Sequence, residues 1–207
     1  MRYDFLVDTY ASERLKVLST WAAFSDADLP ARPHPVDDRG RSLQEQMVHQ
    51  CVSENVWFER MLEIHVGAPP VPEEESRLGF MRRYAVDSAR RLEALRATDE
   101  KWWETECLFF GEARSRTWVF VRRIAHTAHH RGQQVQLLRM LNREVYSTYG
   151  PTADTGGLLV HHAPTIYPYP SDIALLAGEA HGGNKAALPG RGQHPPTERP
   201  AERRGAM

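Results

Sequence analysis

Two histidines four residues apart, His126 and His130, have the types and spacing that could do chemistry in this 207-residue chain. They lie in a predicted helix from Arg116 to about Asn142, so both imidazoles share one face, about 5–6 Å apart at Cβ. Val119 and Leu137 occupy the same stripe, which indicates that this face points to the interior. Two neutral imidazoles in this arrangement can bind one divalent ion.

A third ligand has to come from another helix, and His49 is the candidate. At helical spacing it shares a largely apolar face with Ser53 and Val56, which again indicates an inward position. Three histidines from two helices leave one coordination position open, as is typical of catalytic metal sites.

The same histidines have a plainer interpretation. An inward histidine can be a hydrogen-bonded core residue, and pairs four apart on a helix arise by chance. Thr127 also stands where the zinc-protease motif has a glutamate after its first histidine. The usual metalloprotease mechanism is therefore not supported.

Several neighbours of these histidines have a structural and a functional interpretation. Gln133, one turn after His130, is placed to orient a ligand or a bound water, whereas Arg131 is expected to form a structural ion pair. Glu45 could be a general base, but a capping box with a preceding serine explains it more simply. Cys51 is expected in the core.

Other chemical residues lie outside this cluster. His161 or His162 could reach the open metal position, although adjacent loop histidines are usually solvated. The Asp154-Thr-Gly triplet of aspartic proteases occurs once, in a helical protein, and is set aside as coincidence. Four tryptophans could line a substrate pocket or a dimer seam, but filling the core is the simpler role: Trp57, Trp102, Trp103 and Trp118.

The elements that would position these residues are four helices, which predict an all-α, four-helix bundle. No strand-like alternation is evident, and residues 98–113 are expected to form a loop or short extended segment. The predicted bundle spans residues 1–145, an irregular C-terminal arm spans 146–180, and a disordered tail spans 181–207. The predicted helices are Tyr3 to Phe24, Ser42 to about Val66, the acidic cluster at Glu73 to about Ala97, and Arg116 to about Asn142.

Composition excludes some classes of function. The chain has 26 Lys and Arg against 27 Asp and Glu, which argues against a nucleic-acid partner. No apolar run is long enough for a membrane span, so no membrane partner is expected. The first residues lack a secretory signal, and two cysteines suit a reducing compartment, so a cytoplasmic location is expected.

The segment His126-Thr-Ala-His-His130-Arg-Gly-Gln133, with His49 in Met-Val-His-Gln-Cys-Val-Ser-Glu-Asn-Val-Trp-Phe, resembles the DinB/YfiT-like superfamily. The resemblance covers roughly residues 3–145. It implies a bacterial four-helix bundle in which His49, His126 and His130 bind zinc or nickel. It also implies a homodimer and, for some members, S-transfer or isomerisation with bacillithiol, mycothiol or glutathione.

The leading hypothesis is therefore a metal-dependent enzyme acting on a small molecule, either a thiol S-transferase or a hydrolase. A second hypothesis is a non-catalytic metal-binding or stress-associated bundle protein. A third is a bundle whose histidines are structural and bind no metal.

Overall fold

The computed structural model describes residues 2–193, Pro195 and Thr197, and these form a mostly helical protein with one small hairpin. The predicted all-α class is thereby confirmed. None of the helices in the described part of the chain is long and apolar enough to cross a membrane. The helices are α1 (Asp4–Ala22), α2 (Leu43–Arg60), α3 (Arg77–Arg96), α4 (Glu100–Glu104), α5 (Arg116–Met140) and α6 (Asp172–Ala180); the strands are β1 (Glu106–Phe109) and β2 (Glu112–Ser115).

Helix α2 begins with the capping box expected from the sequence. The Ser42 hydroxyl accepts from the Glu45 amide at 3.2 Å, and the Glu45 carboxylate accepts from the Ser42 amide at 2.7 Å. The helix ends at Arg60, earlier than the predicted end near Val66. Glu63 adopts a left-handed φ of 57°, which turns the chain out of the helix.

Helix α3 begins later than predicted. Its N-cap is Ser76, whose hydroxyl accepts from the Gly79 amide at 3.1 Å, so the acidic cluster Glu73–Glu75 precedes the helix. The free Arg77 amide is satisfied by the Asp26 carboxylate at 2.8 Å. The Ser76 hydroxyl cap therefore determines where α3 begins. The attraction of the acidic cluster to the positive N-terminal end of the helix dipole does not.

The segment before α5 contains α4 and an antiparallel hairpin that the sequence did not reveal. Phe109 pairs with Glu112, so Phe110 and Gly111 form a two-residue turn. Each strand has four residues, which is too few for the alternation of apolar and polar side chains typical of a strand to be recognised. Phe109 packs edge-to-face on Trp57, with the ring centroids 5.1 Å apart.

The C-terminal arm is more regular than expected because it contains α6. This helix packs against α1 and α3 through the buried Leu175 and an Arg77–Glu179 ion pair of 2.7 Å. Residues 181–193, which belong to the segment predicted to be disordered, also make hydrogen bonds, including Ala186 N to Pro168 O at 2.9 Å. The rest of the predicted tail, residues 194, 196 and 198–207, lies outside the described residues.

The four long helices, α1, α2, α3 and α5, share a core and meet at the buried carboxylate of Glu54 on α2. It accepts from the hydroxyls of Tyr10 at 2.6 Å and Tyr84 at 3.4 Å. The guanidinium groups of Arg91 and Arg123 lie 3.3 and 3.7 Å away. Burial raises the pKa of both tyrosines, which therefore stay protonated as donors.

Replacing Glu54 with glutamine should destabilise the fold by about 3–5 kcal/mol, because two buried guanidinium groups lose their shared carboxylate. Urea unfolding measures this directly. The matched control is Glu59→Gln, an exposed glutamate on the same helix, which should change the free energy of unfolding by less than about 0.5 kcal/mol. Equal effects of the two substitutions would contradict the proposed role of Glu54.

Candidate metal centre

The structure brings together the three histidines predicted as metal ligands. One ring nitrogen from each of His49, His126 and His130 lies within 4.8 Å of the others. The Nε2 atoms of His126 and His130 are 3.2 Å apart, and the His49 ring centroid is 4.7 Å from that of His130. His49 comes from α2 and the other two from α5.

Antiparallel packing of α2 and α5 sets this arrangement. On one side of the histidines, the Gln134 amide donates to the Gln50 carbonyl oxygen at 2.6 Å. On the other side, Arg123 reaches Glu54 and donates to the Ser53 hydroxyl at 3.0 Å. These contacts fix the register of the two helices at the level of the histidines.

The histidine geometry fits a divalent metal ion. Two nitrogens bound to one tetrahedral zinc ion at 2.0–2.1 Å lie about 3.3 Å apart, close to the 3.2 Å found between His126 and His130. A donor set of three imidazoles suits zinc and nickel as well as copper and iron.

The environment keeps the three imidazoles neutral, as metal ligands must be. Burial, assisted by the charge of Arg123, lowers the pKa of His126 to about 3. Burial lowers the pKa of His130 to about 4 and also lowers that of His49, where Arg41 adds to the effect. At neutral pH all three rings therefore offer lone pairs.

Gln133 contacts the cluster, at the position from which we expected it to orient a ligand. Its side-chain oxygen accepts a hydrogen bond from Nδ1 of His130 at 2.9 Å, which leaves the His130 Nε2 lone pair directed at His126. Its amide nitrogen donates to Nε2 of the exposed His129 at 3.1 Å. His129 therefore lies beside the cluster, outside the group of three ligand histidines.

Trp57 is the aromatic residue that lies against the histidines. Its ring stacks on His126 with centroids 5.6 Å apart and planes inclined by 16°. The Arg123 guanidinium is 5.5 Å from the same Trp57 ring. Trp103 is buried in the core as expected, whereas Trp118 is 39% exposed.

The plainer interpretations of the neighbouring residues are confirmed. Arg131 forms a buried ion pair with Glu13 at 2.6 Å, and Glu45 is part of the α2 cap. Cys51 is buried in the core, where desolvation raises the pKa of its thiol well above the usual range. A buried protonated thiol is neither a ligand nor a nucleophile.

The C-terminal arm contributes no member to the histidine cluster. Among the described residues, the ligand group contains neither His161 nor His162, and His162 is exposed. Asp154 accepts from the Val145 amide at 2.6 Å and pairs with Arg139. It therefore stabilises the chain after α5, in agreement with setting the aspartic-protease triplet aside.

Sequence reasoning missed two residues that support the cluster, Glu54 and Arg123. A signal was present, because Arg123 lies three residues before His126 on the same inward stripe of α5. A buried arginine requires an acceptor on a facing helix. The sequence alone does not show which carboxylate supplies it.

Comparison with known proteins identifies the family, because a profile of the DinB family matches residues 4–156. The chain belongs to the DinB family. The comparison with curated proteins finds no match.

Two solved structures show the same fold as this DinB-family chain. A DinB-like protein from Bacillus cereus ATCC 10987 has a TM-score of 0.62 and 20% identity, over 70% of this chain and 95% of its own. The DinB-like protein YjoA from Bacillus subtilis has a TM-score of 0.55 and 15% identity, over 70% of this chain and 96% of its own. The region matched to the DinB family contains all three clustered histidines and excludes α6.

Proposed function

We propose that this DinB-family protein binds a divalent metal ion, zinc or nickel, through His49, His126 and His130 and uses it in a reaction of a small molecule. The observation that carries the proposal is the convergence of three neutral imidazoles from two helices, with 3.2 Å between two of the ligand nitrogens. Three protein ligands leave a position for a substrate, as in catalytic metal sites. A surface depression of about 530 Å³ has His49 in its lining, so this one of the three ligands is reached by solvent.

The protein's own residues would orient the ligands. When bound, the ion would supply a Lewis acid and favour the nucleophilic thiolate form of a thiol at neutral pH. Gln133 fixes the tautomer of His130, and Trp57 holds the ring plane of His126. The buried Arg123 disfavours protonation of His126, which keeps that ring available as a ligand.

The small molecule proposed as the reaction partner is a low-molecular-weight thiol. This part of the proposal is supported by the resemblance of the histidine helix to DinB/YfiT-like proteins that use bacillithiol, mycothiol or glutathione. Hydrolysis of a small substrate is the other reaction class that an open three-histidine site can support. The homodimer and the cytoplasmic location stay predictions.

Replacing both His126 and His130 with alanine should abolish metal binding, because two of the three ligands are lost. Elemental analysis of protein purified without a nickel column should find about one zinc or nickel per wild-type chain and far less in the variant. The matched control is His34→Ala/His65→Ala, which removes two histidines outside the cluster. Equal metal in the wild type and the His126/His130 variant would refute the metal site.

Metal-loaded protein should consume a thiol in the presence of a reactive electrophile, and metal-stripped protein should not. The measurement is loss of free thiol with bacillithiol, mycothiol and glutathione, each tested against a panel of electrophiles. The His126/His130 variant should match the stripped protein. Metal binding without turnover across the panel would favour a non-catalytic metal-binding protein.

A further inference from the structure

The turn of the hairpin holds an aromatic residue in an unfavourable position. Phe110 and Gly111 connect β1 and β2 with φ angles of 50° and 93°, the geometry in which asparagine, aspartate and glycine are preferred. A phenylalanine in the left-handed region is strained. The Phe110 side chain is nonetheless 73% exposed, so little burial offsets the strain.

Packing of the hairpin does not depend on Phe110. Phe109 makes the contacts that hold the hairpin to the helices, with centroids 5.1 Å from Trp57 and 5.0 Å from Trp118. Phe110 lies against the outside of this group, 4.7 Å from Phe109 and 6.3 Å from Trp57. We call Phe109, Phe110 and Trp118 the aromatic tip.

The aromatic tip is continuous with the candidate metal centre through a single side chain. Trp57 contacts Phe110 and Phe109, and it also stacks on His126 with centroids 5.6 Å apart. One indole ring therefore separates the exposed ring of Phe110 from a predicted ligand. Trp57 itself is buried, but Trp118 and Arg122 lie two turns and one turn before His126 on α5, so a molecule that reacts at the histidines and extends along this helix would meet the tip.

Two arginines lie beside the Trp118 side of the tip. The guanidinium groups of Arg114 and Arg122 lie 5.4 and 5.9 Å from the centroid of the Trp118 ring. Arg114 is paired with Glu112, whereas Arg122 has no ion-pair partner within the described part of the chain. An exposed ring next to an unpaired cation suits a planar apolar group that carries a negative charge.

We propose that the aromatic tip is a substrate subsite, which binds a planar, apolar and acidic group of the molecule that reacts at the three histidines. The statement that the bound molecule reacts at the histidines rests on the proposed function. Binding at the tip itself needs only the aromatic rings and the nearby arginines. The subsite can therefore be tested with and without metal.

The test uses 2-naphthoate as the probe and Phe110→Asn as the variant, because asparagine suits the left-handed turn and should preserve the hairpin. Calorimetry should show that wild-type protein binds 2-naphthoate and prefers it to the non-planar cyclohexanecarboxylate. The variant should bind 2-naphthoate roughly 3- to 10-fold more weakly and melt at a temperature no lower than the wild type. Phe110→Tyr keeps an aromatic ring and should bind 2-naphthoate as the wild type does. Val36→Asn, at another exposed apolar residue, should not alter binding.

Two results would overturn the proposal: no binding of 2-naphthoate to the wild type, or equal affinity in Phe110→Asn. Equal affinity together with a changed molecular mass of that variant would make the tip an interface between copies of the chain. Repeating the titration on metal-stripped protein separates this proposal from the metal site. Binding that depends on Phe110 in a protein with no histidine-dependent metal would support the subsite and refute only the proposed function.

Discussion

A single buried carboxylate, that of Glu54, requires the four long helices to meet in one register. An ionised carboxylate in the interior is stable only when charges and donors surround it. Here the hydroxyl of Tyr10 comes from α1, Tyr84 and Arg91 come from α3, and Arg123 comes from α5. Sliding any of these helices by one turn would take a hydrogen-bond donor or an ion-pair partner away from this buried carboxylate. Apolar packing alone tolerates such shifts more readily, so this cluster specifies the arrangement.

The candidate metal centre depends on that register. Arg123 links α5 to Glu54 and Ser53 of α2 on one side of the histidines, and the Gln50–Gln134 hydrogen bond joins the two helices on the other. The same arginine lies over Trp57, which stacks on His126. The stabilising ion cluster and the candidate metal centre are therefore connected by one side chain, Arg123. Its charge also lowers the pKa of His126, so the fold and the protonation state of the site are coupled.

The sequence predicted those features that arise from short-range chemistry. Ser42 marks the start of α2 by its side-chain cap, and the four-residue spacing of His126 and His130 is enough to put them on one face of α5. The end of α2 near Glu63, the short hairpin and α6 were not predicted, because a left-handed residue or tertiary contact determines them. The pairing of Glu54 with Arg123 is a long-range choice among many charged residues, and spacing along the chain does not encode it.

X-ray absorption spectroscopy at the metal edge tests most directly whether the helix register creates a metal site. For this measurement the protein is first stripped of metal, then loaded with zinc and finally freed of excess zinc. We predict three imidazole nitrogens at about 2.0–2.1 Å, with the imidazole scattering lost in a variant that lacks His126 and His130. A spectrum of oxygen ligands alone, or one unchanged in that variant, would contradict the account.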